Sequence, residues 1–173
     1  KLLKNHEVYG IDSYSDNYDI SLKRERYQKT VKPNYFFFEQ NIRNIKLPDV
    51  KFDIAINLAA QPGVRVDKSK EHLYKETNEE GFIKFCNFCI ERNIKKIIYA
   101  SSSSVYSDNS DEKFKESHTL LRPKSLYGKS KLENEKYASY LANNEDISII
   151  GLRFFSVYGP YGRPDMAYYS FAK

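Results

Sequence analysis

Short apolar runs alternate with helix-patterned segments along this chain, and that alternation constrains the fold more than any other feature. Glu7 to Ile11, Asn34 to Phe38, Phe52 to Leu58, Ile94 to Ala100 and Ile147 to Phe154 read as strands. Each run is short and rich in β-branched or aromatic residues. Between them, Ile20 to Thr30, Lys68 to Arg92 and Ser125 to Asn143 carry helical spacing. Strand–helix–strand alternation predicts an α/β fold, with a parallel sheet covered by helices on both faces.

At 173 residues the chain is long enough for one buried core, so a single domain is expected. No apolar run approaches the ~18 residues of a membrane span. Lys1-Leu2-Leu3-Lys4-Asn5 is too short and too polar for a secretory signal, and the chain does not begin with Met. The net charge is +5, but the lysines are scattered, often beside Asp or Glu, rather than gathered into a nucleic-acid-binding stripe. Cys86 and Cys89 form a C-x-x-C. Phe82, Ile83, Phe85, Cys86, Cys89 and Ile90 follow helical spacing, so the cysteines are expected to face a core. No second pair completes a zinc site, no metal is expected, and reduced thiols fit a cytoplasmic protein. His6, His72 and His118 read as surface residues, and Asp108 to Ser117 as a charged surface loop.

The chemistry concentrates at Tyr127-Gly128-Lys129-Ser130-Lys131. Residues four apart share a helix face, so the Lys131 ammonium is expected beside the Tyr127 phenol. A phenol titrates near ~10, and bringing it to ~7 takes about 4 kcal/mol. One positive charge at ~4 Å, at an effective dielectric of ~20, supplies roughly that much. A phenol tuned in this way is a general acid or base for a hydroxyl group.

Other segments stand around it in a fixed order. Leu58-Ala59-Ala60-Gln61-Pro62-Gly63-Val64-Arg65 follows the third strand, and Tyr99 to Tyr106, with its Ser101-Ser102-Ser103-Ser104 run, follows the fourth. Leu152-Arg153-Phe154-Phe155-Ser156-Val157-Tyr158-Gly159-Pro160-Tyr161-Gly162-Arg163-Pro164-Asp165-Met166-Ala167 closes the set. Together these segments resemble the extended short-chain dehydrogenase/reductases, specifically the NAD-dependent nucleotide-sugar epimerases and dehydratases. The closing run is most similar to UDP-glucuronate 4-epimerases, and the resemblance covers nearly the whole chain.

The resemblance implies a Rossmann-type doubly wound sheet that binds NAD. It places the family's first strand and its G-x-x-G-x-x-G turn, which cradles the pyrophosphate, ahead of Lys1. A gap is therefore expected between the Glu7–Ile11 and Phe52–Leu58 strands. The chain would be part of a longer enzyme: a partial NAD-binding domain over 1–173, with the substrate-binding region starting near 156. Asp12 would bind the adenosine ribose, favouring NAD over NADP. Asn41-Ile42 stands where the family usually has Asp-Ile beside adenine. Leu58, Ala59 and Ala60 would pass beneath the cofactor, and Asn78 matches a helix asparagine beside it. Ser101, Phe154 and Phe155 also fall at cofactor positions.

For catalysis, the resemblance assigns Tyr127, Lys131 and Ser102. Tyr127 would take the sugar O4 proton, Ser102 would share that proton path, and Lys131 would hold the nicotinamide ribose and tune Tyr127. Related 4,6-dehydratases carry Asp and Glu where this chain has Ser103 and Ser104, so these serines, as substrate contacts, favour epimerisation over elimination. Ser107 departs from a usual glycine. Ser156 would lie near the sugar. Arg163 would grip the C5 carboxylate of a hexuronate, as a guanidinium fork can, and Arg65 is a second cation for the substrate. A basic surface suits such an acidic nucleotide sugar.

The implied activity is 4-epimerisation of UDP-glucuronate through a 4-keto sugar, with NAD held as a prosthetic group. Another UDP-sugar 4-epimerase, a 4,6-dehydratase, and a non-catalytic fragment or nucleotide-binding module stay open. Family members commonly form homodimers through a four-helix bundle that would include the Lys68–Arg92 and Tyr127 helices.

Overall fold

The computed structural model describes residues 2–64, 66–106, 113–118 and 121–172. Its elements are β1 (Val8–Asp12), α1 (Ile20–Gln28), β2 (Tyr35–Glu39), β3 (Ala55–Asn57), α2 (Gly81–Glu91), β4 (Lys96–Ala100), α3 (Leu126–Asn144), β5 (Ser148–Leu152) and α4 (Ala167–Phe171). Among the described residues every strand pairing is parallel, as the strand–helix alternation predicts. The strands form two sheets, β1–β2 and β3–β4–β5. The break between β1 and β3 falls where the resemblance places a further strand. Two compact units follow this division: one is Lys1–Asn41 with Ser156–Lys173, the other Ile42–Phe155.

In the first unit β1 and β2 run in register from Val8↔Tyr35 to Asp12↔Glu39. Aromatic pairs stabilise both faces. Tyr9 stacks on Phe36 at 4.8 Å, and Tyr27 of α1 packs on Phe37 at 4.6 Å. Asp19 caps α1 by accepting from the Ser21 amide at 2.8 Å. The Arg26 guanidinium donates to the Gly162 carbonyl at 2.8 Å, tying α1 to the closing segment.

The second unit holds the main core. α2 contributes Phe82, Phe85, Cys86 and Cys89, β4 contributes Ile97 and Tyr99, and α3 contributes Ala138 and Leu141. Both cysteines are fully buried, as their helical spacing predicts, and burial pushes each thiol up to about 12. The opposite face of this sheet carries Ile56, Ile98 and Ile150 in one register row, with Ile56 and Ile150 exposed.

Most sequence-derived boundaries move by a residue or two, and three segments change more. Phe52–Leu58 shortens to β3 because the Asn57 carboxamide accepts from the Ala59 amide at 2.9 Å, turning the chain out of the ladder. Ile147–Phe154 shortens to β5, since pairing with β4 ends at Ala100↔Leu152 and the Phe154 amide turns back to the Leu152 carbonyl. Lys68–Arg92 is not one helix. It divides into a 3₁₀ turn (Lys68–Lys70), a π-helical stretch (Tyr74–Glu80) and α2. The wider π turns carry Tyr74 and Asn78 inward together, the two buried residues of that stretch.

Candidate active site

The carboxyl ends of β3, β4 and β5 lie along one edge of the second unit, the edge where parallel α/β sheets bind ligands. Helix α3 begins there. Ser125 caps it, its hydroxyl accepting from the Gly128 amide at 3.0 Å. Gly128 lets the first turn approach the serine run closely: a Cβ there would stand 2.4 Å from the Ser104 carbonyl oxygen. The packing thus brings Tyr127 and Lys131 to the end of β4.

Lys131 is buried, and its ammonium donates to the Ala100 carbonyl at 2.8 Å. Burial lowers its pKa to about 8. The Nζ atom lies 5.8 Å from the centroid of the Tyr127 ring, so the two share a face as their spacing predicts. Tyr127 is half-buried, and the Tyr74 ring stands 6.3 Å from its own. The Tyr74 hydroxyl donates to the Gly63 carbonyl at 2.7 Å, holding the segment after β3.

Ser102, in extended backbone, is buried and caps a short 3₁₀ turn over Ser103–Val105 by accepting from the Ser104 amide at 3.1 Å. The Ser103 amide donates to the Phe154 carbonyl at 2.9 Å, joining the ends of β4 and β5. Phe154 and Phe155 are exposed at that junction, as are Leu58 and Ala59 past β3, while Ala60 is half-buried.

Asn78 is committed within the protein. Its carboxamide accepts from the Gln61 amide at 2.7 Å and donates to the Gln61 carbonyl at 3.2 Å and the Ser130 hydroxyl at 3.0 Å. Ser130 in turn donates to the Tyr127 carbonyl at 2.8 Å. The asparagine therefore ties the loop after β3 to the Tyr127 turn. Ile42 opens a short 3₁₀ turn and packs against Gly81, where a Cβ would meet its Cγ2 at 2.7 Å.

Glu135 and Arg153 escape a motif reading. The Arg153 guanidinium donates to both carboxylate oxygens of Glu135, at 2.9 and 2.8 Å, and Ser101 donates to the same carboxylate at 2.5 Å. The hydrogen bonds to Glu135 hold the guanidinium firmly protonated. A sequence signal exists for each: Glu135 continues the four-residue spacing of Tyr127 and Lys131, and Arg153 is the only charge within the apolar run from Ile147 to Phe155.

In the first unit Asp12 ends β1, and one carboxylate oxygen accepts from the Tyr14 amide at 2.7 Å. Asn41 directly follows Gln40, whose amide donates to the Asp12 carbonyl at 3.0 Å. Ser156 is exposed in the closing segment. Arg163 forms a forked pair with Asp165, Nε donating at 3.0 Å and a terminal nitrogen to the second oxygen. Arg65 and Ser107 lie outside the described residues.

A family model described as the NAD dependent epimerase/dehydratase family matches residues 1–172. Protein CapI of Staphylococcus aureus is 39% identical, over 100% of this chain and 54% of its own length. UDP-glucuronate 4-epimerase 6 of Arabidopsis thaliana is 39% identical, over 96% of this chain and 37% of its own length. A solved Bacillus cereus UDP-glucuronic acid 4-epimerase, in complex with UDP-glucuronic acid and NAD, superposes with a TM-score of 0.83 at 34% identity. It covers 97% of this chain and 55% of its own. The chain thus spans about half the length, or less, of the relatives it matches. With the family model matched across nearly every residue and the site edge built as described, the chain belongs to the NAD dependent epimerase/dehydratase family.

Proposed function

We propose that the whole protein is a nucleotide-sugar 4-epimerase that holds NAD tightly and converts UDP-glucuronate to UDP-galacturonate. The observation that carries this reading is Lys131: an ammonium buried at the end of β4, bonded to the Ala100 carbonyl, beside the Tyr127 ring. A buried cation with no carboxylate partner among the described residues is costly unless it serves a ligand or a reaction.

The residues present fit the nucleoside portions of NAD. In the first unit the Asp12 carboxylate suits a ribose diol; in the second, Lys131 suits a pair of ribose hydroxyls and the exposed residues Leu58 and Ala59 leave room for a flat ring. When bound, NAD supplies the acceptor and donor for the hydrogen at sugar C4. Tyr127 removes the O4 proton as that hydrogen leaves and returns it after the 4-keto sugar has turned its other face. Ser102 hydrogen-bonds the same oxygen, and the Lys131 charge favours the phenolate. No carboxylate stands at Ser103 or Ser104 to carry a proton for water elimination. Arg163 binds the C5 carboxylate by exchanging its exposed Asp165 partner for the substrate.

The test is to purify the whole protein and incubate it with UDP-glucuronate without added NAD, following the anomeric protons by NMR. UDP-galacturonate should form. A 4-keto-6-deoxy product from a UDP- or dTDP-hexose would replace this reading with dehydration, and no turnover of any UDP-sugar with NAD supplied would favour a binding module.

A further inference from the structure

Three elements meet at one carboxylate. Glu135 lies on α3, Arg153 just beyond β5, and Ser101 just beyond β4. Arg153 binds Glu135 through two nitrogens at 2.9 and 2.8 Å, and the Ser101 hydroxyl completes the cluster at 2.5 Å. The pair is largely buried, with side chains 18% and 16% exposed. The guanidinium carbon also lies 4.8 Å over the Tyr106 ring.

Simple stabilisation does not account for this placement. A desolvated ion pair is a poor source of stability, and well-packed apolar residues of the same volume often do as well or better. What a forked pair supplies is fixed geometry. The geometry here bears on the reacting residues. Tyr127, Lys131 and Glu135 occupy one face of α3 at four-residue intervals. Ala100-Ser101-Ser102 is held to that face twice, by Lys131 at the Ala100 carbonyl and by Glu135 at the Ser101 hydroxyl. Arg153 directly precedes Phe154, whose carbonyl takes the Ser103 amide. A slip of α3 along β4 would therefore separate Tyr127 from Ser102, and misplacement by ~1 Å can cost ~10²-fold in rate.

We propose that Glu135 and Arg153 are positioning residues, a clamp that keeps α3 in the register with β4 and β5 at which Tyr127 and Ser102 act on one substrate oxygen. This inference rests on the epimerase reading above.

The test compares the whole protein with Glu135→Gln, Arg153→Lys and the apolar double variant Glu135→Leu/Arg153→Met, measuring kcat, KM for UDP-glucuronate and thermal midpoint. Glu135→Gln should lower kcat about 10- to 100-fold with KM within about threefold. Arg153→Lys keeps the charge but loses the fork, and should fall between that variant and the wild type. The double variant should regain the wild-type midpoint while kcat stays low. Recovery of kcat together with the midpoint would make the pair merely structural and overturn the proposal, as would an unchanged kcat in Glu135→Gln. If Glu135→Gln does not fold, Arg153→Lys carries the decision by the same split of kcat from KM. A wild-type protein that turns over no UDP-sugar would instead remove the epimerase reading, and the clamp's role with it.

Discussion

Lys131 carries its charge where the surroundings oppose it. Burial brings its pKa from 10.5 to about 8, a difference worth up to about 3 kcal/mol. Below about pH 8 the side chain is protonated folded or unfolded, so the folded state bears the whole cost. Between about 8 and 10.5 the folded state loses the proton first, and stability rises with pH. Above that range both states are neutral and the cost is gone. Lys131→Met is therefore expected to be more stable than the wild type by roughly 1–3 kcal/mol at pH 7. The advantage should fade toward pH 10.5, measured by denaturant unfolding of nucleotide-free protein across pH. The same variant should lose about 10²-fold or more in turnover, the mark of a residue kept for function. That Tyr127 and Lys131 share a helix face was legible in sequence because helical spacing places side chains by local geometry, whereas Ser102 stood out only through family resemblance. The Glu135 cluster was not legible, because its partners come from residues 34 and 18 positions away.

At the scale of elements, α3 and the end of β4 work as one piece because Gly128 allows contact with the Ser104 carbonyl. A Cβ at Gly128 would stand 2.4 Å from that backbone oxygen and 2.9 Å from Pro123 Cβ, and a backbone carbonyl cannot swing aside as a side chain does. Gly128→Ala should lower stability by about 1–3 kcal/mol. It should also reduce kcat more than it raises KM, read by thermal melting and steady-state kinetics on one preparation. The five strands were readable from short apolar runs. Their ends were not, because those depend on local turns such as the Asn57 carboxamide on the Ala59 amide. The π-helical stretch was equally hidden. Periodicity reads Lys68 to Arg92 as one helix, but the widening reflects anchoring of Tyr74 to Gly63 and Asn78 to Gln61, neither of which is periodic.

For the whole molecule, strand–helix alternation gives a parallel α/β arrangement, and the division into β1–β2 and β3–β4–β5 agrees with the gap implied by family resemblance. What periodicity could not convey is that Arg163 is already paired with Asp165, because ion pairing between exposed neighbours leaves no pattern in hydrophobicity. The proposed reaction moves a proton at O4 and a hydride at C4 of a nucleotide sugar and leaves C5 untouched. Its most direct test is to run the whole protein on UDP-glucuronate in D₂O, beside Tyr127→Phe with the same bound NAD content. The wild type should yield UDP-galacturonate that retains protium at both C4 and C5, and the variant should be slower by about 10²-fold or more. Deuterium at C5, or a variant as fast as the wild type, would contradict the account.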